Sequence, residues 1–420
     1  MALALDIVEL MRFAGQNKLP AQPTARGLSM WFAVCLASSG LADPDPAPAL
    51  DPAFRPSFTA TADVVLRAIV LQPDGRLLVA GRFDFFHGHP YNGLVRLDTN
   101  GAVDASFALW PGIQGTVNAV AVQSDGKILL GGDFVRVAGQ VRHTLARLDA
   151  DGSLDGTFAS RVGGHAMPTI EVVRVQDDGR ILIGGEFRMV GSAPRACLAR
   201  LHPNGDLDET FDPGAAVEDG FGVVQDLAPL PDGGVVVAGL FTKFDGLACP
   251  GLVRLDAQGR VDPEFAPALY WSQGLVSVSL VRRQRDGRLL IAGRFDQLEG
   301  ETRIGLARLQ ESGALDRDFE VVGGWGGVPD DAVRDLAVQP DGRIVLAGDF
   351  VQVGAALHRG ITRVQANGAV DEEFDPGAGL LGRDGTSGHS NAIAIETDGR
   401  IVVAGAFLQI GDVHRQHLAR

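Results

Sequence analysis

From residue 64 onward, apolar residues come in short β-rich runs separated by Asp-Gly or Asn-Gly pairs, and no segment of helical period interrupts them. Each unit of this pattern predicts four strands. The first is a run such as VNAVAVQ or VRDLAVQ that ends at a Pro-Asp-Gly-like turn. The second reads KILLGGDF and the third LARLDA; after an Asn-Gly or Asp-Gly type turn, the fourth reads SLDGTF. Glycine at these turns supplies the positive φ that a tight hairpin needs.

The pattern is written seven times. QPDGRLLVAGRF returns as QSDGKILLGGDF, QDDGRILIGGEF, LPDGGVVVAGLF, QRDGRLLIAGRF, QPDGRIVLAGDF and ETDGRIVVAGAF, with the turn glycines Gly75, Gly126, Gly179, Gly233, Gly287, Gly342 and Gly399 spaced by 51, 53, 54, 54, 55 and 57 residues. A Phe follows each glycine by eight residues and an Arg follows that Phe by thirteen, from Arg96 to Arg420. Where the chain continues, an Asp comes eight residues after the Arg and a second Phe three after that. The lengths vary only between this second Phe and the next Asp-Gly. Seven units of four antiparallel strands predict an all-β, seven-bladed β-propeller of four-stranded blades.

The last copy stops at Arg420, half written. Its missing fourth strand is matched at the other end by ALDPAF, where Leu50, Asp51 and Phe54 repeat the Leu/Val-Asp-x-x-Phe pattern. The expectation is that residues 50–58 supply the fourth strand of the last blade and that Arg420 meets Asp51. Such pairing would close the ring and remove two exposed sheet edges. Residues 50–420 then form the propeller and 43–49 a Pro/Asp-rich linker. Residues 1–42 are expected to be a signal peptide or leader: a short apolar run after Arg26, then small residues at Gly40-Leu41-Ala42, with a mature start near Asp43. A cytoplasmic extension is the alternative. The apolar run is too short to span a membrane.

These motifs resemble the delta-60 repeat family, whose units read roughly Q-x-D-G-K-I-L-V-G-G-x-F followed by I-A-R-L-N-x-D-G-x-L-D-x-x-F. The resemblance covers residues 50–420. It implies a propeller-like domain of bacterial exported or surface proteins and no established activity. Leu230, Gly234 and Glu396 depart from the pattern without touching the turn glycines.

Composition narrows the partners. A formal net charge of −15 argues against nucleic acid and anionic membrane surfaces. The three cysteines, Cys35, Cys197 and Cys249, form no metal-binding pattern, and a Cys197–Cys249 disulfide is disfavoured by their unequal positions in the repeats. The HGHP stretch, His87 to Pro90, is read as a loop with a turn glycine and not as a metal site. No cofactor is implied, and no nucleophile or phosphate-loop motif is present. The repeated Arg and Asp are read as cross-strand pairs because catalysis does not need one copy per blade.

Function is expected where the copies differ. One candidate set is the polar residue that opens each first strand: Arg67, Asn118, Glu171, Gln225, Ser279, Arg334 and Asn391. Innermost strands lining a channel would gather these seven at its mouth; solvated lining is the plain reading. The other set is the aromatics of the variable connections, Trp110, Tyr270, Trp271 and Trp325, suited to stacking on sugars, anchoring a protein, or packing between blades. The leading function is an exported (secreted, surface or periplasmic), non-enzymatic scaffold for a glycan or a surface protein. The alternative is a polysaccharide hydrolase or lyase with carboxylates Glu171, Asp226 and Asp335 near the channel. A glycosidase pair lies about 5–10 Å apart, so separations beyond about 12 Å would remove it.

Overall fold

Each repeat folds as a three-stranded antiparallel sheet in chain order, the turn glycine closing its first hairpin. In repeat one Val65–Leu71, Leu77–Arg82 and Leu94–Leu97 pair successively, and Gly75 turns with φ 84° while its N–H donates to Gln72 O at 2.9 Å. The computed structural model describes residues 49–60, 63–214, 222–321, 325–326 and 333–420, all within one compact unit, Pro46–Arg420. The inner strands of repeats two to seven are Val117–Val122, Thr169–Val175, Val223–Pro229, Ser277–Arg283, Val333–Val338 and His389–Ile395. Each packs beside the next, and the strand of repeat seven packs beside that of repeat one. The middle strands are buried almost throughout, as both sheet faces meet a neighbouring repeat.

The blades have three strands, not the expected four. The fourth segment makes a single bridge to the third strand, as in Leu97↔Val103, Leu148↔Leu154 and Leu309↔Leu315. The reason is the conserved-looking Asp that follows. Its carboxylate accepts the backbone N–H two residues on (Asp155 Oδ1 from Thr157, 2.9 Å), bending the chain out of the sheet and driving the Phe inward. A second small sheet, unseen in the sequence, stands beside most blades; Ile113–Gln114, Arg136–Val137 and Gln140–Val141 form one of them.

The Arg and Asp form the expected pairs, and more. Nε of Arg96, Arg147, Arg200, Arg308 and Arg363 lies 2.6–2.8 Å from Oδ2 of Asp104, Asp155, Asp208, Asp316 and Asp371. Arg254 and Asp262 are looser at 3.6 Å. Most of these guanidiniums also lie 4.5–5.1 Å from the ring of the second Phe. Several reach the following repeat: Arg96 Nη1 donates to Ala150 O at 2.5 Å and Arg308 Nη1 to Ala366 O at 2.6 Å. One side chain thus ties two strands, one aromatic ring and the next blade.

The N-terminal segment joins the same scheme. Asp51 N–H donates to Arg420 O at 2.8 Å, and Arg420 Nη2 lies 2.6 Å from Asp51 Oδ2. Arg420 stacks 4.6 Å from the Phe54 ring and donates to Thr99 O of repeat one at 2.7 Å. Phe54 is fully buried in a cluster that holds Leu66 and Val79 of repeat one with Ala404 and Leu418 of repeat seven. Of the segment 50–58 assigned to the last blade, Phe58 belongs elsewhere: Phe58–Thr59 pairs with Phe86 and Phe85 of repeat one.

Cys197 and Cys249 are free thiols. Burial pushes the Cys249 thiol up to about 11. Among the described residues no helix is long and apolar enough to cross a membrane. Residues 1–48, including Cys35, lie outside the described residues.

Candidate functional site

The seven polar residues of the first strands come together. Arg67, Asn118, Glu171, Gln225, Ser279, Arg334 and Asn391 all line one cavity of about 420 Å³ at the mouth of the channel between the inner strands. A common backbone device puts them there. In every repeat the register of strand one slips by one residue at this position, between Leu66 and Ala68, between Ile170 and Val172, and likewise in the other five. Each candidate is the extra residue of a β-bulge, which breaks the pleat's alternation and re-aims the side chain.

The bulge explains a glycine in the repeat motif. The last Gly of VAGRF or IGGEF sits under the bulge, and a Cβ on Gly81, Gly185 or Gly405 would collide with the carbonyl oxygen of Val65, Thr169 or His389. The next residue escapes that constraint and varies among the copies: Arg82, Asp133, Glu186, Leu240, Arg294, Asp349 and Ala406. Arg82, Asp133 and Glu186 line an adjoining cavity of about 360 Å³ together with Arg67, Asn118 and Glu171. The sequence reading missed this second set. Its signal was a single variable position between an unchanging Gly and an unchanging Phe.

Local bonds hold the mouth. Asn118 Nδ2 donates to Thr169 Oγ1 at 3.2 Å, and Thr169 Oγ1 donates to Glu171 Oε1 at 2.9 Å, fixing that carboxylate. His165 Nε2 lies 3.1 Å from Glu186 Oε1. Arg334 grips Asp349 through Nε at 2.9 Å and Nη2 at 2.5 Å. Asn391 donates to Leu66 O at 2.9 Å, and Ser277 Oγ to Gln225 Oε1 at 2.9 Å. His389 sits in the same region. Burial lowers its pKa, and the Arg334 and Arg67 charges push the same way against Asp349.

Deeper in the channel the copies differ again. Arg174 Nη2 donates to Asp226 Oδ1 at 2.6 Å, Arg282 binds Asp226 through Nη1, and Arg282 Nη2 donates to Asp335 Oδ1 at 3.0 Å. The N–H groups of Val281 and Ile393 complete the two carboxylates at 3.0 Å each. This ladder links repeats three to seven. Burial pushes the Asp335 carboxyl up, against the pull of Arg282. Asp226 and Asp335 share one guanidinium, so distance does not separate them; the bonds they accept do the work of positioning blades. Glu171 stands with Thr169 at the mouth. Each of the three carboxylates is thus engaged locally, Asp226 and Asp335 by arginines and backbone N–H groups and Glu171 by Thr169.

The aromatic candidates are not gathered. Trp110 and Tyr270 are exposed (67% and 54%), whereas Trp271 packs against the core of repeat five with Arg294 5.8 Å above its ring. Trp325 pairs through its backbone with Val353.

A family model described as "Domain of unknown function (DUF5122) beta-propeller" matches residues 72–107, 123–158, 176–211, 230–265, 284–319, 339–374 and 396–420, more than half of the chain. The chain belongs to this family. A comparison with curated proteins found no match. Among solved structures, virginiamycin B lyase from Staphylococcus aureus is 11% identical with a TM-score of 0.51, over 84% of this chain and 95% of that one. The extracellular domain of BT3049 from B. thetaiotaomicron is also 11% identical, with a TM-score of 0.50 over 87% of this chain. The chain spans 42% of that structure's length. At this identity the likeness is one of fold.

The matched segments of the DUF5122 propeller divide its residues usefully. The first six run from the turn to the second Phe and so contain the Arg–Asp–Phe clamp, and the seventh ends at Arg420. All seven bulge residues fall outside the matched segments, Arg67 before the first and the other six between them. The clamp lies within the segments that the family model matches, and the bulges of the mouth lie outside them.

Proposed function

We propose that this DUF5122 propeller is an exported, non-enzymatic binding scaffold that takes its ligand, a glycan or a surface protein, at the channel mouth. The observation that carries the reading is the convergence of seven bulged polar side chains, of five different types, on one cavity of about 420 Å³, a size within the usual range of ligand sites of about 300–1,000 Å³. The repeated Arg and Asp of the clamp, by contrast, are used to hold strands and blades. The N-terminal segment closes the ring through Asp51 and Phe54, a reading supported by the bonds they make with Arg420.

The test is a glycan array and a pull-down of surface proteins with the full chain. A partner should be captured, and the Arg67→Ala/Glu171→Gln/Arg334→Ala variant should lose it while its thermal unfolding stays unchanged. Capture that ignores these substitutions would place binding elsewhere. Export predicts a mature N-terminus at or near Asp43; intact mass showing residues 1–42 on the folded protein would contradict it.

A further inference from the structure

The charges of the mouth are segregated by repeat. Repeat six neutralises itself, because Arg334 is held by Asp349. Repeat one does not. Its bulge residue Arg67 and its strand-two residue Arg82 line the same cavity, and among the described residues neither has an ion pair. Two guanidiniums side by side on paired strands repel, which a fold tolerates when an anion comes between them. Repeats two and three present the opposite sign: Glu171 and Glu186 line that cavity, with Asp133 beside them.

The two walls differ in readiness as well as in sign. Glu171 is oriented by the Asn118–Thr169 relay and Glu186 by His165, so the acidic wall is fixed before any ligand arrives. Asp133 is partly spent, since its Oδ1 accepts the Thr116 N–H at 2.6 Å. Neutral donors and acceptors, Asn118, Thr116 and Thr169, lie with the charged walls, and exposed Met167 stands among the lining residues as an apolar rim.

From this arrangement we propose that the sector of the mouth formed by repeats one to three binds a small zwitterion: a free amino acid or a short peptide. Its carboxylate meets Arg67 and Arg82, its ammonium meets Glu171 and Glu186, and its amide faces Asn118 and Thr169. An anion alone would leave Glu171, which among the described residues has Thr169 but no cation, uncompensated; a cation alone would leave the two arginines so. A neutral sugar would use neither wall. The cavity, about 360 Å³, is at the small end of ligand sites of about 300–1,000 Å³. This proposal rests on the mouth being the binding face and replaces its broad partner class with one chemistry.

Isothermal titration of the full chain with Ala-Ala, N-acetyl-Ala-Ala, Ala-Ala-amide, alanine and a neutral oligosaccharide tests it. Ala-Ala or alanine should bind at least about tenfold tighter than its blocked counterpart, the loss expected for one charge-assisted bond set. The Arg67→Ala/Arg82→Ala variant should stop discriminating acid from amide, and the Glu171→Gln/Glu186→Gln variant should stop discriminating amine from N-acetyl. Both variants should unfold at the wild-type temperature. Blocked and free peptides binding alike, or no peptide binding at millimolar concentration, would overturn the proposal. If the oligosaccharide then binds and Arg67→Ala weakens it, the zwitterion is wrong and the mouth stands. If neither class binds, the zwitterion is wrong and the pull-down of surface proteins decides the mouth.

Discussion

Arg420 donates from Nε and Nη2 to Asp51 Oδ2 at 3.0 and 2.6 Å across 369 positions of sequence, where Arg308 donates from Nε to Asp316 Oδ2 at 2.6 Å across eight. The pair is well shielded, with the two side chains 3% and 19% exposed. Removing one partner of a buried pair costs about 3–5 kcal/mol. Arg420→Ala should therefore lower the urea midpoint about as far as Arg308→Ala, whose guanidinium is similarly buried. A much smaller loss at Arg420 would mean that the N-terminal segment does not close the ring.

The channel ladder gives a second expectation. Arg282→Ala leaves Asp226 and Asp335 buried without their shared cation, at a cost of about 3–5 kcal/mol. Adding Asp226→Ala and Asp335→Ala removes those carboxylates but also takes from Arg174 its partner Asp226, so part of the loss should return. Denaturant curves of the single and triple variants check this; a triple variant weaker than the single one would contradict it.

Much of this was legible in the sequence, for physical reasons that can be named. The clamp was readable because Arg, Asp and Phe recur at fixed spacing and cross-strand pairing demands that symmetry. The bulge residues could be listed because each lies eight residues before a turn glycine. The bulge itself could not, as a register slip leaves no mark except the glycine beneath it. The fourth strand was overread: Asp in LDGTF looks like a strand residue, yet its carboxylate caps a turn. Asp226 and Asp335 were read as channel carboxylates, but their partners Arg174 and Arg282 escaped, because each sits one repeat away at a position that is apolar in other copies, such as Val70 and Ala121.

Gly185 tests the bulge. A methyl group there would strike the Thr169 carbonyl and force strand one away. Gly185→Ala should cost about 1–3 kcal/mol, as overpacking does. It should also weaken ligand binding at Glu171. Gly163→Ala, where an added Cβ meets nothing within 4 Å, serves as the control.

Acid should act in two stages. Burial lowers the pKa of His389 and His417, so the unfolded chain takes up their protons first and stability declines slightly below about pH 6.5. At Asp104, Asp208 and Asp316 burial raises the pKa, but hydrogen bonds and arginine charges outweigh it and hold these carboxyls below their ordinary value. Their contribution is complete above about pH 4 and is lost as the pH falls through the lower folded values. Thermal midpoints from pH 8 to pH 2 should show a shallow and then a steep fall. A midpoint that rises on acidification below pH 4 would contradict the clamp.

The most direct test of the account is hydrogen exchange of the full chain with and without the ligand that the array or the titration identifies. The mouth predicts slowed exchange at the bulges, residues 65–68, 117–119, 169–172 and their counterparts, and at the Gly-x-Phe ends of the middle strands. Protection confined to the hairpin turns around Gly75, Gly126 and Gly179, with the bulges unchanged, would contradict it.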